Sequence, residues 1–147
     1  MRTYLTLPEF ESSIGAQPRE IETMMLRREK IGLRTTYQDT GSGRQRQFRR
    51  ENVIELAATI AFRRAGLPPR TAAAMAETVV DAADSLPHER REWMIVSGGG
   101  HYFTATNNLS DFDFAEVTGI GQVATVVRVG EILRVVDRLF ASQAAVV

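Results

Sequence analysis

The apolar residues at the start of the chain recur at helical spacing in two short segments. Thr6 can cap the first helix, and Gly15 ends it. A second helix is predicted over residues 19–30, and Gly32 closes it. The apolar faces of these helices consist of Leu7, Phe10, Ile14, Ile21, Met24 and Met25. Two short helices joined by a tight turn that contains glycine are typical of a helix-turn-helix.

A β-hairpin is predicted directly after these helices. Residues 33–37 (LRTTY) are rich in β-forming side chains, and residues 38–43 (QDTGSG) have the composition of a turn. Residues 44–48 would form the returning strand. The two helices and this hairpin together predict a winged helix-turn-helix.

A pair of longer helices is predicted over residues 50–65 and about 69–85, on either side of a Gly-Leu-Pro-Pro break. Arg63 and Arg64 suit the C-terminal end of the first helix because its dipole is negative there. The apolar residues of the second helix are mostly alanine. Such small residues allow close packing, either within the fold or against a second subunit.

The pattern changes at Leu86-Pro87, which is the predicted domain boundary. Strands are expected over 93–96, 102–106 and 122–129, with a loop or short helical turn near Ser110 and a final helix over 131–142. The predicted fold class is therefore α+β. Residues 1–86 would form a winged helix-turn-helix with a helix pair, and residues 87–147 a small ββ(loop)βα unit.

The net charge of zero conceals an asymmetry between the two halves of the chain. Residues 1–71 contain 13 basic and 8 acidic side chains (+5), whereas residues 72–147 contain 5 basic and 10 acidic side chains (−5). Within residues 27–50 the count is 8 basic against 2 acidic side chains. This asymmetry predicts a polyanion-binding N-terminal part, the alternative being a solvated charged face.

The composition, with 44% apolar residues and no cysteine, is typical of a globular protein and fits a reducing compartment. There is no apolar run of the roughly 20 residues that cross a bilayer. We therefore expect a cytoplasmic, nucleoid-associated protein without a membrane partner. His88 and His101 lack metal-ligand spacing and no nucleophile–base pair is visible, so we expect no catalytic residues, no metal site, no cofactor and no enzymatic activity.

Residues 43–71 carry the most specific pattern in the chain. Gly43, Arg46 and Phe48 match a wing that ends in Gly-Tyr-Arg-x-Tyr, and residues 50–53 (RENV) match the polar helix start that follows it. Residues 63–68 (RRAGLP) match the break of a helix pair. In these features, residues 5–85 resemble the DNA-binding domain of the MerR family. The resemblance implies a winged helix-turn-helix that binds double-stranded DNA.

The chain also departs from that family. Gln45 and Phe48 replace the two wing tyrosines, the second helix lacks the Arg-Tyr-Tyr pattern, and no long dimerising helix follows. The chain is therefore a divergent relative, or a similar winged helix of the kind that phage excisionases and terminase small subunits use. Effector sensing of the MerR kind does not follow from the resemblance.

The expected DNA contacts fall into three groups. The second helix should lie in the major groove, with residues near its start facing base edges and residues near its end contacting phosphates. Wing arginines suit the DNA backbone or the minor groove. The candidates for base contact are Gln17, Arg19, Glu20 and Thr23, those for phosphate contact are Arg27, Arg28 and Lys30, and those on the wing and the helix start after it are Arg44, Arg46, Arg49 and Arg50. Alternatively, Arg19 and Glu20 are solvated and the hairpin is a surface loop.

The leading hypothesis is a sequence-specific transcriptional regulator that binds DNA as a homodimer, with helix 131–142 available for dimerisation. The acidic C-terminal part is a candidate to bind RNA polymerase or another protein. An architectural or packaging DNA-binding protein is the second hypothesis. A protein-interaction adaptor that no longer binds DNA is the third, and the charge asymmetry disfavours it.

Overall fold

The computed structural model describes residues 2–17, 19–35, 46–87, 91–97, 102–111 and 124–141. The helices are α1 (Leu7–Phe10), α2 (Glu20–Leu26), α3 (Arg28–Ile31), α4 (Arg50–Arg64), α5 (Pro69–Ala82) and α6 (Val129–Ala141). The strands are β1 (Leu5–Thr6), β2 (Gln47–Phe48), β3 (Trp93–Ser97), β4 (Tyr102–Thr106) and β5 (Ala124–Val127), and a 3₁₀ turn spans Leu109–Asp111. The predicted α+β class is confirmed.

Helix α4 is the central element of the fold. Its residues from Val53 to Ile60 are all buried, and both α5 and α6 pack against it. Helix α5 contributes small buried side chains, among them Ala72, Ala73 and Ala76. Because these side chains are short, the two helices can approach closely. The alanine-rich face therefore packs within the fold.

The C-terminal strands form an antiparallel sheet in the order β4-β3-β5. Ile95 in the central strand lies opposite Thr104 on one side and Val126 on the other. Among the described residues, β3, β4, β5 and α6 follow one another in the order predicted for the ββ(loop)βα unit, and residues 112–123 lie outside the described part. Helix α6 buries Leu133, Val136 and Phe140 in the same core that contains Phe10 of α1. The described part of residues 87–147 therefore shares its core with the N-terminal part.

The first turn of α1 is fixed by Glu9, whose carboxylate accepts a hydrogen bond from the Thr6 backbone N–H at 2.9 Å. The Arg2 side chain also bonds this carboxylate and, as the main cause, lowers the pKa of Glu9 to about 2. A turn follows and ends at Gly15, which has a φ of 76°. Glycine adopts this left-handed conformation without the steric cost that a Cβ brings.

The predicted second helix is interrupted at Arg27. The Arg27 N–H is shared between the carbonyl oxygens of Thr23 and Met24, each at 3.2 Å, and its backbone leaves the helical region (φ −104°, ψ 10°). Helix α2 therefore ends at Leu26, and α3 is a separate turn. The prediction of one helix over 19–30 was wrong in this respect, whereas the predicted end at Gly32 is confirmed.

Strand β2 pairs with β1, and not with residues 33–35, which are not in a strand. The register places Leu5 opposite Phe48. The Phe48 ring packs edge-on against Phe10, with ring centroids 5.3 Å apart. The predicted pairing of the two hairpin strands is therefore not observed at its base. The remainder of the predicted hairpin, residues 36–45, lies outside the described residues.

Candidate nucleic-acid interface

Helix α2 separates its buried and exposed residues cleanly. Ile21 and Met25 are buried at 1% and 3% exposure. Residues three and four apart share a helix face. The exposed side of α2 and of the residue that ends it consists of Glu22, Thr23, Leu26 and Arg27, and we call these four residues the α2 face. Two of the predicted DNA contacts, Thr23 and Arg27, therefore lie together on this face.

Three cations near α2 and α3, Arg19, Arg27 and Lys30, are exposed to solvent. Arg27 and Lys30 are exposed, and neither forms an ion pair among the residues that the structure describes. Arg19 is exposed as well and, in the same part of the chain, has no ion pair. Cationic side chains without an internal partner can neutralise phosphates of a polyanion.

The turn before α2 is held by Glu20. Its Oε1 atom accepts the Gln17 backbone N–H at 3.0 Å and the Arg64 Nη2 donor at 3.1 Å. The Glu20 carboxylate thus connects the start of α2 to the end of α4. The side chains of Gln17 and Arg19 are exposed, and Arg19 adopts a left-handed backbone with a φ of 77°. Of these three candidates for base contact, Glu20 has a structural role in the fold.

Arg28 is separated from the other two cations near the end of this helical segment. Its side chain is half-buried, and its Nη1 atom donates a hydrogen bond to the carbonyl oxygen of Met25 at 3.1 Å. Arg27 and Lys30, in contrast, point away from the core. The three phosphate-contact candidates therefore differ in exposure, with Arg28 the least exposed.

Arg50 of α4 connects its helix with α6 and with the segment that follows α5. Its guanidinium, 28% exposed, donates to Asp137 of α6 at 2.6 Å and forms an ion pair with Asp84, after α5, at 3.4 Å. The hydrogen bond with Asp137 is the main cause that raises the pKa of Arg50. Arg50 was a DNA-contact candidate, and the structure gives it two internal carboxylate partners.

Arg49 stays at the surface beside Tyr4. Its guanidinium lies 5.6 Å from the centre of the Tyr4 ring, and its Nη2 atom donates to the Tyr4 hydroxyl at 3.3 Å. This hydrogen bond is the main cause that raises the pKa of Arg49. Arg46 is exposed near the start of β2, while Arg44 lies outside the described residues.

A buried carboxylate that the sequence did not single out holds the chain after α3. Glu55 of α4 accepts the Arg34 backbone N–H at 3.0 Å and a short hydrogen bond from the Thr35 hydroxyl. Thr35 and Glu55 are both buried, and the Arg34 side chain bonds Asp81 of α5 at 3.1 Å. A single acidic residue inside the apolar run of α4 was the signal that could have identified this clamp.

Leu26 is the second feature that sequence reasoning missed. It is 87% exposed, although it is a large apolar residue on the α2 face. It borders a groove of about 520 Å³. The groove is lined by Leu7, Pro8, Ile21, Glu22, Met25, Leu26, Arg46 and Phe48. An apolar side chain at helical spacing does not reveal from sequence alone whether it faces the core.

A comparison with models of known protein families finds no match, and no curated protein is significantly similar to the chain. Among the described residues, no group of three histidine, aspartate or glutamate side chains could hold a metal ion. In the same ranges, no helix has the length and apolar character to cross a membrane. His88 and His101 lie outside the described residues.

Proposed function

We propose that this chain is a sequence-specific DNA-binding protein that regulates transcription. The observation that carries the proposal is the α2 face, where Thr23 and Arg27 are exposed while Ile21 and Met25 anchor the helix in the core. A short helix that is anchored by buried apolar residues and exposes its other side suits insertion into the major groove. The resemblance of residues 43–71 to a MerR-like wing and helix pair supports the same function.

The contacts in this proposal divide by chemistry. Arg19 and Thr23 face base edges, since arginine and hydroxyl side chains can bond them in the major groove. Arg27, Lys30, Arg46 and Arg49 contact phosphates, which supply affinity without reading sequence. Glu20, Arg28 and Arg50 have internal partners and support the scaffold.

The protein would bind its site as a homodimer, because two half-sites add affinity through effective concentration. Most of the apolar face of α6 is buried in the core, so dimer contacts would involve other surfaces of the C-terminal unit. Recruitment of RNA polymerase through this unit belongs to the same proposal.

The first experiment is a salt titration of binding to a mixed-sequence duplex, read by fluorescence anisotropy. The logarithm of the affinity should fall linearly with the logarithm of the salt concentration, and each lost phosphate contact should reduce the slope by about 0.9. Lys30→Ala and Arg46→Ala should each flatten the slope. Arg138→Ala, which removes an exposed arginine on α6, is the matched control and should not. Absence of salt-dependent binding would refute the proposal.

A second experiment separates regulation from DNA packaging. Genome-wide occupancy is measured together with transcript levels, with and without the protein. Promoter occupancy accompanied by changed transcription is the expected result. Occupancy confined to attachment or packaging sites, with transcripts unchanged, would favour the architectural function instead.

A further inference from the structure

Leu26 and Val126 are large apolar residues with exposed side chains in the described part of the chain, and their exposures differ strongly. Val126 is 38% exposed and lies in strand β5, whereas Leu26 is 87% exposed at the end of α2. Leu26 neighbours Thr23 and Arg27 on the α2 face and forms one rim of the groove that Arg46 also borders. An apolar side chain in this position gains free energy if a ligand covers it.

The charges around Leu26 indicate what could cover it. Arg27 and Lys30 lack an acidic partner among the described residues, and Arg46 lies at the same groove. The exposed carboxylates beside them are Glu22, which lines the groove, and Glu29 of α3, so the cations are in excess. A second copy of the chain, docked symmetrically, would place the same patch, with its excess of positive charge, against itself. A polyanion with an apolar group on its surface would cover the leucine side chain and neutralise the cations.

Thymine is the base that offers such a group. In the major groove its 5-methyl group is an apolar feature that distinguishes it from the other DNA bases. Resting on the proposed function, we infer that Leu26 is a specificity-determining residue that covers the 5-methyl group of a thymine in the DNA site. The flanking cations contact the phosphates and bring α2 to the depth at which this contact forms.

The test compares thymine with deoxyuridine, which lacks only the methyl group. A preferred duplex is first selected from random sequence with the full chain, and each thymine in it is then replaced singly. At one thymine per half-site, the wild-type chain should lose about fourfold in affinity, which corresponds to ~0.8 kcal/mol for one buried methyl group. Leu26→Ala should bind the thymine and deoxyuridine duplexes equally.

Two further variants make the result specific. Leu26→Met retains an apolar side chain of similar size and should retain the preference for thymine. Arg27→Ala should weaken binding to both duplexes by the same factor and leave the preference unchanged. Because Leu26 is largely in solvent, Leu26→Ala should keep the wild-type far-UV circular dichroism and Tm.

Each alternative outcome has a defined meaning. If no thymine shows the methyl effect, or if Leu26→Ala retains it, the role of Leu26 is refuted while DNA binding stands. If Leu26→Ala changes the sedimentation mass and leaves DNA affinity intact, the residue contacts a second copy and the inference fails. If the wild-type chain binds no duplex, the proposed function fails together with it.

Discussion

The cations of α2–α3 and those of the C-terminal unit are arranged in opposite ways. In the C-terminal unit, Glu92 accepts hydrogen bonds from Arg128 at 2.8 Å and from Arg134 at 2.7 Å. In α2–α3, Arg27 and Lys30 have no acidic partner among the described residues. Arg128 and Arg134 are thus neutralised within the fold, whereas Arg27 and Lys30 are presented to solvent.

The contrast shows that the charge of a segment is a poor measure of its capacity to bind a polyanion. Residues 27–50 are strongly basic, yet Arg50 pairs with Asp84 and Asp137, and Arg34 pairs with Asp81. Part of the opposite charge of the two halves is therefore used to hold them together. Arg27 and Lys30, which lack such partners among the described residues, remain available to a polyanion.

Phe140→Ala tests whether the N-terminal part and the C-terminal unit unfold together as one cooperative unit, and it should have the largest effect on stability. Phe140 is buried in the core, and the Arg2 N–H donates to its carbonyl oxygen at 3.0 Å. Truncation should lower the free energy of unfolding by about 3–5 kcal/mol. Urea unfolding should be followed by Trp93 fluorescence, which reports on β3, and by far-UV circular dichroism, which reports mostly on the helices.

Both probes should shift together to lower urea concentration. Arg138→Ala, an exposed substitution on the same helix, should change the free energy of unfolding by less than about 0.5 kcal/mol. If fluorescence shifts while circular dichroism does not, residues 87–147 unfold as a separate domain, as the predicted domain boundary at Leu86-Pro87 implies.

The next largest effect concerns Glu55, a buried acidic residue that holds the chain after α3. Glu55→Ala leaves the Thr35 hydroxyl and the Arg34 N–H without their acceptor, at a cost of about 2–3 kcal/mol. Glu51→Ala removes an exposed carboxylate from the same helix and should cost less than about 0.5 kcal/mol. Equal losses in a denaturant titration would show that the clamp after α3 contributes nothing.

The longer elements were predictable from the sequence because their signals are local. Apolar spacing together with the Gly66 and Pro69 signals predicted α4 at 50–65 and α5 at about 69–85, and the structure has Arg50–Arg64 and Pro69–Ala82. The predicted strands at 93–96 and 102–106 also agree with β3 and β4. Each of these segments carries its own period and its own boundary signals.

The details of the candidate site depend on contacts between distant positions. Two-residue strands have no readable alternation, so the pairing of Leu5 with Phe48 could not be predicted from a pattern. The partners of Arg50 lie 34 and 87 residues away. Whether Leu26 faces solvent depends on how α2 packs against the rest of the fold, and helical spacing alone does not determine that orientation.

The contrast between the two regions is tested directly by a pair of arginine substitutions. Arg50→Ala should lower the free energy of unfolding by about 1 kcal/mol because Asp84 and Asp137 lose their partner, and it should leave the salt slope of DNA binding unchanged. Arg27→Ala should leave stability within about 0.5 kcal/mol of wild type and reduce the slope by about one. Chemical denaturation and anisotropy titrations of both variants supply the four values. The opposite pattern would mean that Arg50, and not Arg27, contacts DNA.

The smallest expected effect is the pH dependence of the Glu92 cluster. The hydrogen bond from Arg134 is the main cause that lowers the pKa of Glu92 to about 2, and Arg128 adds to it. Because the folded pKa lies below the ordinary value of 4.5, the ionised carboxylate stabilises the fold above that pH. This stabilisation should disappear as the pH falls from about 4.5 to about 2.

Glu92→Gln isolates this contribution, because an amide keeps the shape but not the charge. It should cost about 1 kcal/mol at neutral pH and approach the wild type in stability at the acid end of the window. Glu9 has a similarly lowered pKa through Arg2 and provides the matched case at the other end of the chain. The free energy of unfolding should be measured by urea denaturation at several pH values for the wild type, Glu92→Gln and the Glu9→Gln/Glu92→Gln variant. Its decrease below about pH 4.5 should become less steep from the first protein to the last. An equally steep decrease in all three proteins would show that neither ion pair favours the folded state. The ion pairs of Glu92 would then mark a difference in geometry from α2–α3, and not a difference in stability.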